Sequence, residues 1–393
     1  MIATAAAITA TALATPAAAL LPLLTHRALR RAQAAKTLRI DSPHGIDEQG
    51  FVRIGGIDQW ISVRGEDRTN PVLVEIHGGP GAANSIYTAR TRSWERHFTI
   101  VRWDMRGAGK TFGRGGPAGQ GEATFQRLYE DALEVTRYAQ DLLRVERVVL
   151  LASSYGSVFG LRLARNHPEL YSAYVGTDQN IQTAGRDTSA YDALLERLRA
   201  AGKTKPLAQV EAIGADQHAW TPKERATYAK FCAQSDPLTF ATLKKVVLGS
   251  MWLSPLHSLR DLRDFFRGQN FSEQITEGTA DFDDLADGTR FEIPFFVFHG
   301  EHDVLTPTAS AKAFFDEVEA PVKQFALIED CSHFASFARP ERFLELLLTH
   351  VRPAVTTTST STSTPTPTPT PTSTSTPTST PTSTSTSTGA TRA

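Results

Sequence analysis

The stretch Arg147-Val-Val-Leu-Leu-Ala-Ser-Ser-Tyr-Gly-Ser-Val158 decides how the rest of the chain is read. Val148 to Ala152 is a continuous apolar run of strand length, as a strand buried on both faces requires. Ala152-Ser153-Ser154-Tyr155-Gly156 follows, and Val158-Phe-Gly-Leu-Arg-Leu-Ala164 has the character of a helix. A strand, a tight turn with serine at its apex and a helix together present a hydroxyl for nucleophilic attack. Small residues are needed two before and two after that serine, because strand and helix backbones nearly touch there. Ala152 and Gly156 meet the requirement, although the first position is usually Gly. Taken alone, the same residues also fit a serine-rich helix cap, so the rest of the chain has to decide.

At 393 residues the chain is long enough for a large core, and its formal charge of −1 gives no general reason to expect nucleic acid as a partner. The two cysteines, Cys232 and Cys331, lie far apart and lack metal-ligand spacing, which fits buried free thiols better than a disulfide. Ile2 to Leu24 carries no charge and is followed by His26-Arg27-Ala-Leu-Arg30-Arg31. It is long enough to span a bilayer, and the basic flank favours a following domain on the cytoplasmic side. A single membrane anchor within residues 1–36 is the expectation, with a signal peptide or a disordered leader as alternatives. From Thr356 the chain is almost purely Thr, Ser and Pro, so residues 354–393 are expected to be a disordered, partly polyproline-like tail. Such tails resemble O-glycosylated stalks, which implies an exported face and conflicts with the basic flank.

Between these ends the pattern alternates strands and helices. Phe51 to Val63 predicts two short strands joined at Gly55-Gly56. Pro71 to His77 predicts another, ending in His77-Gly78-Gly79-Pro80-Gly81. Glycines directly after a strand expose amide N–H groups, and the Gly79 N–H with the Tyr155 N–H makes the expected oxyanion hole. Phe98 to Thr111 is the next strand and loop. Gly109-Lys110-Thr111 mimics the end of a phosphate-binding loop, but Asp104 stands where that motif needs Gly, so a nucleotide site is rejected. Asp104 and Arg106 are expected to fix the loop by charge-assisted hydrogen bonds. Phe125 to Leu143 has helical periodicity through Leu128, Ala132, Val135, Ala139 and Leu142.

After a short strand at Ala173 to Gly176, the chain from Thr177 to about Gly288 becomes helical, charged and aromatic, with Tyr191–Ala201 and Leu238–Trp252 as the clearest helices. Its position between core strands suggests an inserted cap. Trp220, Trp252, Phe265, Phe266 and Phe271 either line an apolar pocket or pack the cap's own core; packing is the expectation for most of them. The core resumes with strands at Phe291–Gly300 and Val322–Ile328, followed by a closing helix, Arg339 to Val351. Asp303 follows the first of these strands and His333 the second. The order Ser, Asp, His is that of an α/β-hydrolase triad. Ser154 needs His333 to accept its proton, and Asp303 orients His333 and stabilises the imidazolium. Glu301 and Asp330 are rival acids, and His299 and His302 are rival bases. Ser153 is the rival nucleophile, excluded because its frame would place Leu151 and Tyr155 at the small-residue positions.

On these motifs the chain resembles the prolyl aminopeptidase (proline iminopeptidase) family of α/β-hydrolases, over residues 50–350. His77-Gly-Gly-Pro-Gly81 and Trp103-Asp-Met-Arg-Gly-Ala-Gly109 carry the resemblance. Met105 stands where the family has Gln, and Ala-Ser-Ser-Tyr-Gly replaces its usual Gly-Gly-Ser-Trp-Gly. The resemblance implies a mostly parallel sheet flanked by helices, and release of an N-terminal residue, typically proline, from a small peptide, with no metal or other cofactor. It also implies cap acids that hold the free amine, for which Glu196, Glu211, Glu273 and Glu277 are available. The expected organisation is a leader (1–36), core (37–176), cap (177–290), core (291–353) and tail. A carboxylesterase or amidase acting on small apolar substrates is the second enzymatic reading, and a non-catalytic binding module the alternative outside enzymes.

Overall fold

Five segments of the chain are buried along all or nearly all of their length, and these form the middle of the sheet: β3 (Val72–Ile76), β4 (Thr99–Asp104), β5 (Val148–Ser153), β6 (Tyr171–Thr177, with only Ser172 partly exposed) and β7 (Phe295–Gly300). Strands covered by helices on both faces have no polar face to alternate, which is why they appear in the sequence as unbroken apolar runs. The computed structural model describes residues 21–360 apart from 185–186 and 277–278. Adding β1 (Ile46–Ile54), β2 (Ile57–Gly65) and β8 (Lys323–Ile328) completes an eight-stranded sheet in the order β1-β2-β4-β3-β5-β6-β7-β8. The β1–β2 hairpin turns at Gly55-Gly56, both at positive φ (53° and 76°), a conformation glycine adopts without strain. β2 pairs antiparallel with β4, and all pairings from β4 to β8 are parallel.

Parallel neighbours need crossover connections. The helix Phe125–Leu143 leads from β4 to β5, with Thr124 capping its start and Leu128, Ala132, Val135 and Ala139 buried as their spacing predicts. The helix Tyr155–Asn166 connects β5 to β6, and Thr308–Glu317 connects β7 to β8. Between β6 and β7 lies a long helical insertion. It contains Ser189–Ala200, Thr204–Ile213, Pro222–Ser235 and Leu259–Ser272. The helix expected over Leu238–Trp252 is present as a continuous helical run, Pro237–Thr242, Leu243–Val247 and Leu248–Leu253, whose middle segment is one widened turn.

Four buried charges cross the first half of the sheet. Arg102 in β4 lies 2.9 Å from Glu75 in β3 and 3.7 Å from Glu95, and Glu95 lies 3.1 Å from Arg64 in β2.

Both ends of the chain are described only in part. No described helix is long and apolar enough to cross a membrane, and residues 2–20 of the apolar leader lie outside the described residues. Residues 21–37 are helical, and two arginines of the basic flank face protein. Arg27 stacks 4.9 Å from the Trp252 ring and donates to the Trp252 carbonyl at 3.0 Å. Arg31 donates to the carbonyls of Pro255 and His257. At the other end, the helix Arg352–Thr360 runs into the expected tail, because Val351 and Val355, one turn apart, are buried in the cluster around Trp94 and Phe343. The rest of the expected tail, residues 361–393, lies outside the described residues.

Candidate active site

The C-terminal ends of β3, β5, β6, β7 and β8 converge at one edge of the sheet, where α/β sheets commonly hold ligands. Ser154 sits between β5 and the helix Tyr155–Asn166 at φ 52°, ψ −125°, a conformation rare for any residue but glycine. The tightness of the turn is measurable. A Cβ added to Gly156 would lie 2.5 Å from the carbonyl oxygens of both Ile76 and His77. Ala152 is tolerated in place of the usual glycine because Gly160 faces it: a Cβ on Gly160 would come within 2.5 Å of the Ala152 methyl. Ser153, the rival nucleophile, stays within β5, buried and paired with Thr177.

His333 lies in the loop after β8. Its Nε2 is 3.0 Å from Ser154 Oγ and its Nδ1 is 2.8 Å from Asp303 Oδ2. Asp303 also accepts from the Leu305 and Thr306 N–H groups at 2.9 and 3.0 Å and from Thr306 Oγ1 at 2.8 Å, so the turn after β7 holds its carboxylate in place. Burial pushes the Asp303 carboxyl up, but His333 outweighs it and leaves the pKa at about 2. Burial also pulls His333 down, and the Asp303 and Asp178 carboxylates lift it to about 9. The rivals have other partners, although His299 Nε2 lies 3.6 Å from Asp303 Oδ2. Glu301 pairs with the exposed His302 at 3.5 Å, Asp330 is at the surface, and His299 is locked between the Gln179 N–H and the Thr306 carbonyl.

The glycine loop after β3 lies against the nucleophile: a Cβ on Gly78 would lie 2.7 Å from Ser154 Cβ. Buried His77 donates Nδ1–H to the Gly78 carbonyl at 2.8 Å and accepts the Met105 N–H at 3.2 Å, which joins this loop to the one after β4. Burial lowers His77 to about 4, so it acts as a neutral strut. Gly79 is exposed, Pro80 half-buried, and Gly81 packs on the helix Leu259–Ser272. Among the described residues neither the Gly79 nor the Tyr155 N–H has an acceptor. In the loop after β4, Arg106 grips Asp131 through Nε at 3.0 Å and Nη2 at 3.2 Å. Asp104 accepts from Ser85 Oγ at 2.8 Å and the Lys110 N–H at 2.9 Å.

Three further residues escaped the sequence reading. Asp178 follows β6 directly, is buried, and holds the Ala335 N–H at 3.3 Å. Its carboxylate, that of Asp303 and a His333 nitrogen lie within 4.8 Å of one another. Both His333 nitrogens already face Ser154 and Asp303, so this cluster serves the imidazole better than a metal. The other two, Asp187 and Arg225, line a cavity of about 270 Å³ that also takes in Tyr155, Leu305 and Trp220. Of the four glutamates named as amine binders, Glu196 is exposed and Glu211 pairs with Arg199 at the surface. Glu273 does not line that cavity, and Glu277 lies outside the described residues. Of the five aromatics, Phe265 packs against Ile86, Tyr87 and Phe337, Phe271 on Phe112, Trp252 under Arg27, and Phe266 is exposed.

The chain and its fold are similar to those of known proteins. The chain is 25% identical over 304 residues to the probable aminopeptidase YbaC of Bacillus subtilis (strain 168), covering 76% of this chain and 94% of that one. In structure it is similar to a proline iminopeptidase of Mycobacterium smegmatis (TM-score 0.54, 19% identity, 79% of this chain and 100% of the other). It is also similar to a proline iminopeptidase-related protein of Thermus thermophilus (TM-score 0.52, 20% identity, 79% and 98%). The family model of the alpha/beta hydrolase fold matches residues 71–340, more than half of the sequence, and with the sheet order and the serine turn after β5 it settles the matter: the chain belongs to the alpha/beta hydrolase fold family.

Proposed function

We propose that the protein is a serine hydrolase that releases the N-terminal residue, preferably proline, from short peptides through an acyl-enzyme. The observation that carries the reading is the unbroken chain Ser154 Oγ–His333–Asp303, at 3.0 and 2.8 Å. In this reading His333 Nε2 takes the Ser154 proton as Oγ attacks the scissile carbonyl. The oxyanion that forms is met by the Gly79 and Tyr155 N–H groups. The imidazolium, stabilised by Asp303, then gives its proton to the leaving amine. Water, deprotonated by the same imidazole, releases the acyl group and restores Ser154. The name of the Bacillus subtilis relative supports the aminopeptidase reading. The insertion between β6 and β7 acts as a cap over the cleft, and Asp187 is the acid available there to the substrate amine.

Carboxylesterase or amidase activity is the second reading. It is favoured by the cavity beside Tyr155, where Asp187 is the only acid among the described residues. Wild type and Ser154→Ala are compared on a prolyl arylamide and a short-chain aryl ester. Arylamide cleavage that is lost in the variant by at least about 10⁴-fold, and lost when proline's nitrogen is acylated, is expected. Cleavage of the ester alone reassigns the protein as an esterase. A near-native rate in Ser154→Ala overturns the nucleophile.

A further inference from the structure

The cavity beside Tyr155 is lined by an arginine, Arg225. Arg225 lies on the helix Pro222–Ser235, half-buried, and donates to the Gln217 carbonyl at 2.8 Å. Among the described residues no carboxylate lies within ion-pairing distance of it. The arginines around the core are treated differently: Arg64, Arg102, Arg106 and Arg162 each have a carboxylate partner. Burying a charge without a partner is costly, and a guanidinium stays charged throughout the accessible pH range. Asp187, the acid in the same cavity, makes no ion pair with Arg225 and accepts from the Ser189 N–H at 2.9 Å and Ser310 Oγ at 3.1 Å. A second observation lies one turn along the helix. Tyr228, three residues from Arg225 and therefore on the same face, also lines the cavity. Its buried hydroxyl has no nitrogen or oxygen partner, and only the weakly bonding Cys232 thiol stands beside it. A fixed cation and an under-used donor on one wall, next to the residue that follows the nucleophile, form half of a binding site. The missing half is an anion with oxygen acceptors.

We propose that Arg225 is a specificity residue that binds a carboxylate of the substrate, so that the enzyme takes short peptides with a free C-terminus. This rests on the hydrolase reading above and adds the charge of the substrate. The planar guanidinium presents paired donors that match a carboxylate's two oxygens, and the Gln217 contact leaves most of them free.

The test compares prolyl-alanine with prolyl-alaninamide, which differ only in the carboxylate. Wild type is expected to show a KM about 10- to 100-fold lower for the free acid, the range of one charge-assisted contact. Arg225→Gln should erase that difference with kcat on the amide unchanged, and Arg225→Lys should restore part of it. Equal KM values in wild type, or a preference that persists in Arg225→Gln, overturn the proposal. If neither peptide is cleaved, the peptidase reading fails on its own, and the proposal is then read from methyl hydrogen adipate against dimethyl adipate. A preference for the monoacid that depends on Arg225 sustains it there, and no preference, or, where wild type turns over neither ester, no Arg225-dependent binding of the monoacid to Ser154→Ala in calorimetry, ends it. Circular dichroism and the melting temperature of each variant separate loss of fold from loss of recognition.

Discussion

At the residue scale the cleft is governed by one imidazole shared between two carboxylates. Activity in the proposed mechanism needs neutral His333, because only the unprotonated Nε2 accepts the serine proton. Burial opposes its charge, but Asp303 and Asp178 lift the pKa to about 9. The acidic limb of kcat/KM should therefore lie well above the 6.5 of a free histidine, with the rate rising as pH rises through it. Asp178→Asn removes one of the two negative neighbours, so the limb should move to lower pH while plateau activity survives. A limb that does not move would show that Asp178 is no electrostatic neighbour of the imidazole. The triad was legible in the sequence because each member follows a buried apolar run and the chain order is fixed. Asp178 was not. The apolar run stops at Gly176 and the polar residues from Thr177 have the character of the insertion, whereas β6 continues to Thr177 and delivers Asp178 to the same edge as Asp303. No spacing rule links Asp178 to His333, since they are 155 positions apart in sequence and meet only through the sheet order (333 − 178 = 155).

At the scale of elements, the turn after β5 depends on which of two facing positions carries a methyl group. Ala152 departs from the pattern in the sequence, and the structure gives the reason, because Gly160 on the following helix leaves room for it. Gly160→Ala should therefore overpack the strand–helix contact and cost about 1–3 kcal/mol in unfolding free energy. Adding Ala152→Gly to that variant should recover part of the loss. Additive penalties in the double-mutant cycle would mean that the two positions do not share the space. The central strands were visible in the sequence because burial on both faces leaves no alternation to misread. The helix expected over Leu238–Trp252 is present because its apolar residues keep helical spacing, and only the widened turn at Leu243–Val247 inside it leaves no mark that a periodicity count detects.

For the molecule as a whole, the N-terminal helix is tied to the insertion through Arg27 on Trp252 and Arg31 on the carbonyls of Pro255 and His257. In the sequence these arginines appeared only as the flank of an apolar leader, because a contact spanning over 220 residues leaves no local trace. Deleting residues 1–37 should lower the melting temperature by a few degrees, with the loss centred on the segment around Trp252, readable by hydrogen exchange. The loss should exceed that of a truncation of residues 1–20, which keeps both arginines. Equal melting temperatures for the two truncations would show that the helix adds nothing to the insertion.

The buried charges of the first half of the sheet bear on assembly as well as on the finished fold. Arg64, Glu75, Glu95 and Arg102 meet only when β2, β4 and β3 lie side by side in the observed register, with Glu75 opposite Arg102. Runs such as Val72–Ile76 and Val148–Ser153 are interchangeable to the hydrophobic effect, which has no preference among greasy strands. A strand slipped by one position, or inserted in the wrong slot, would strand a lone ion in the interior at a cost of several kcal/mol. The network thus discriminates against mispaired sheets that oil-like burial alone would accept.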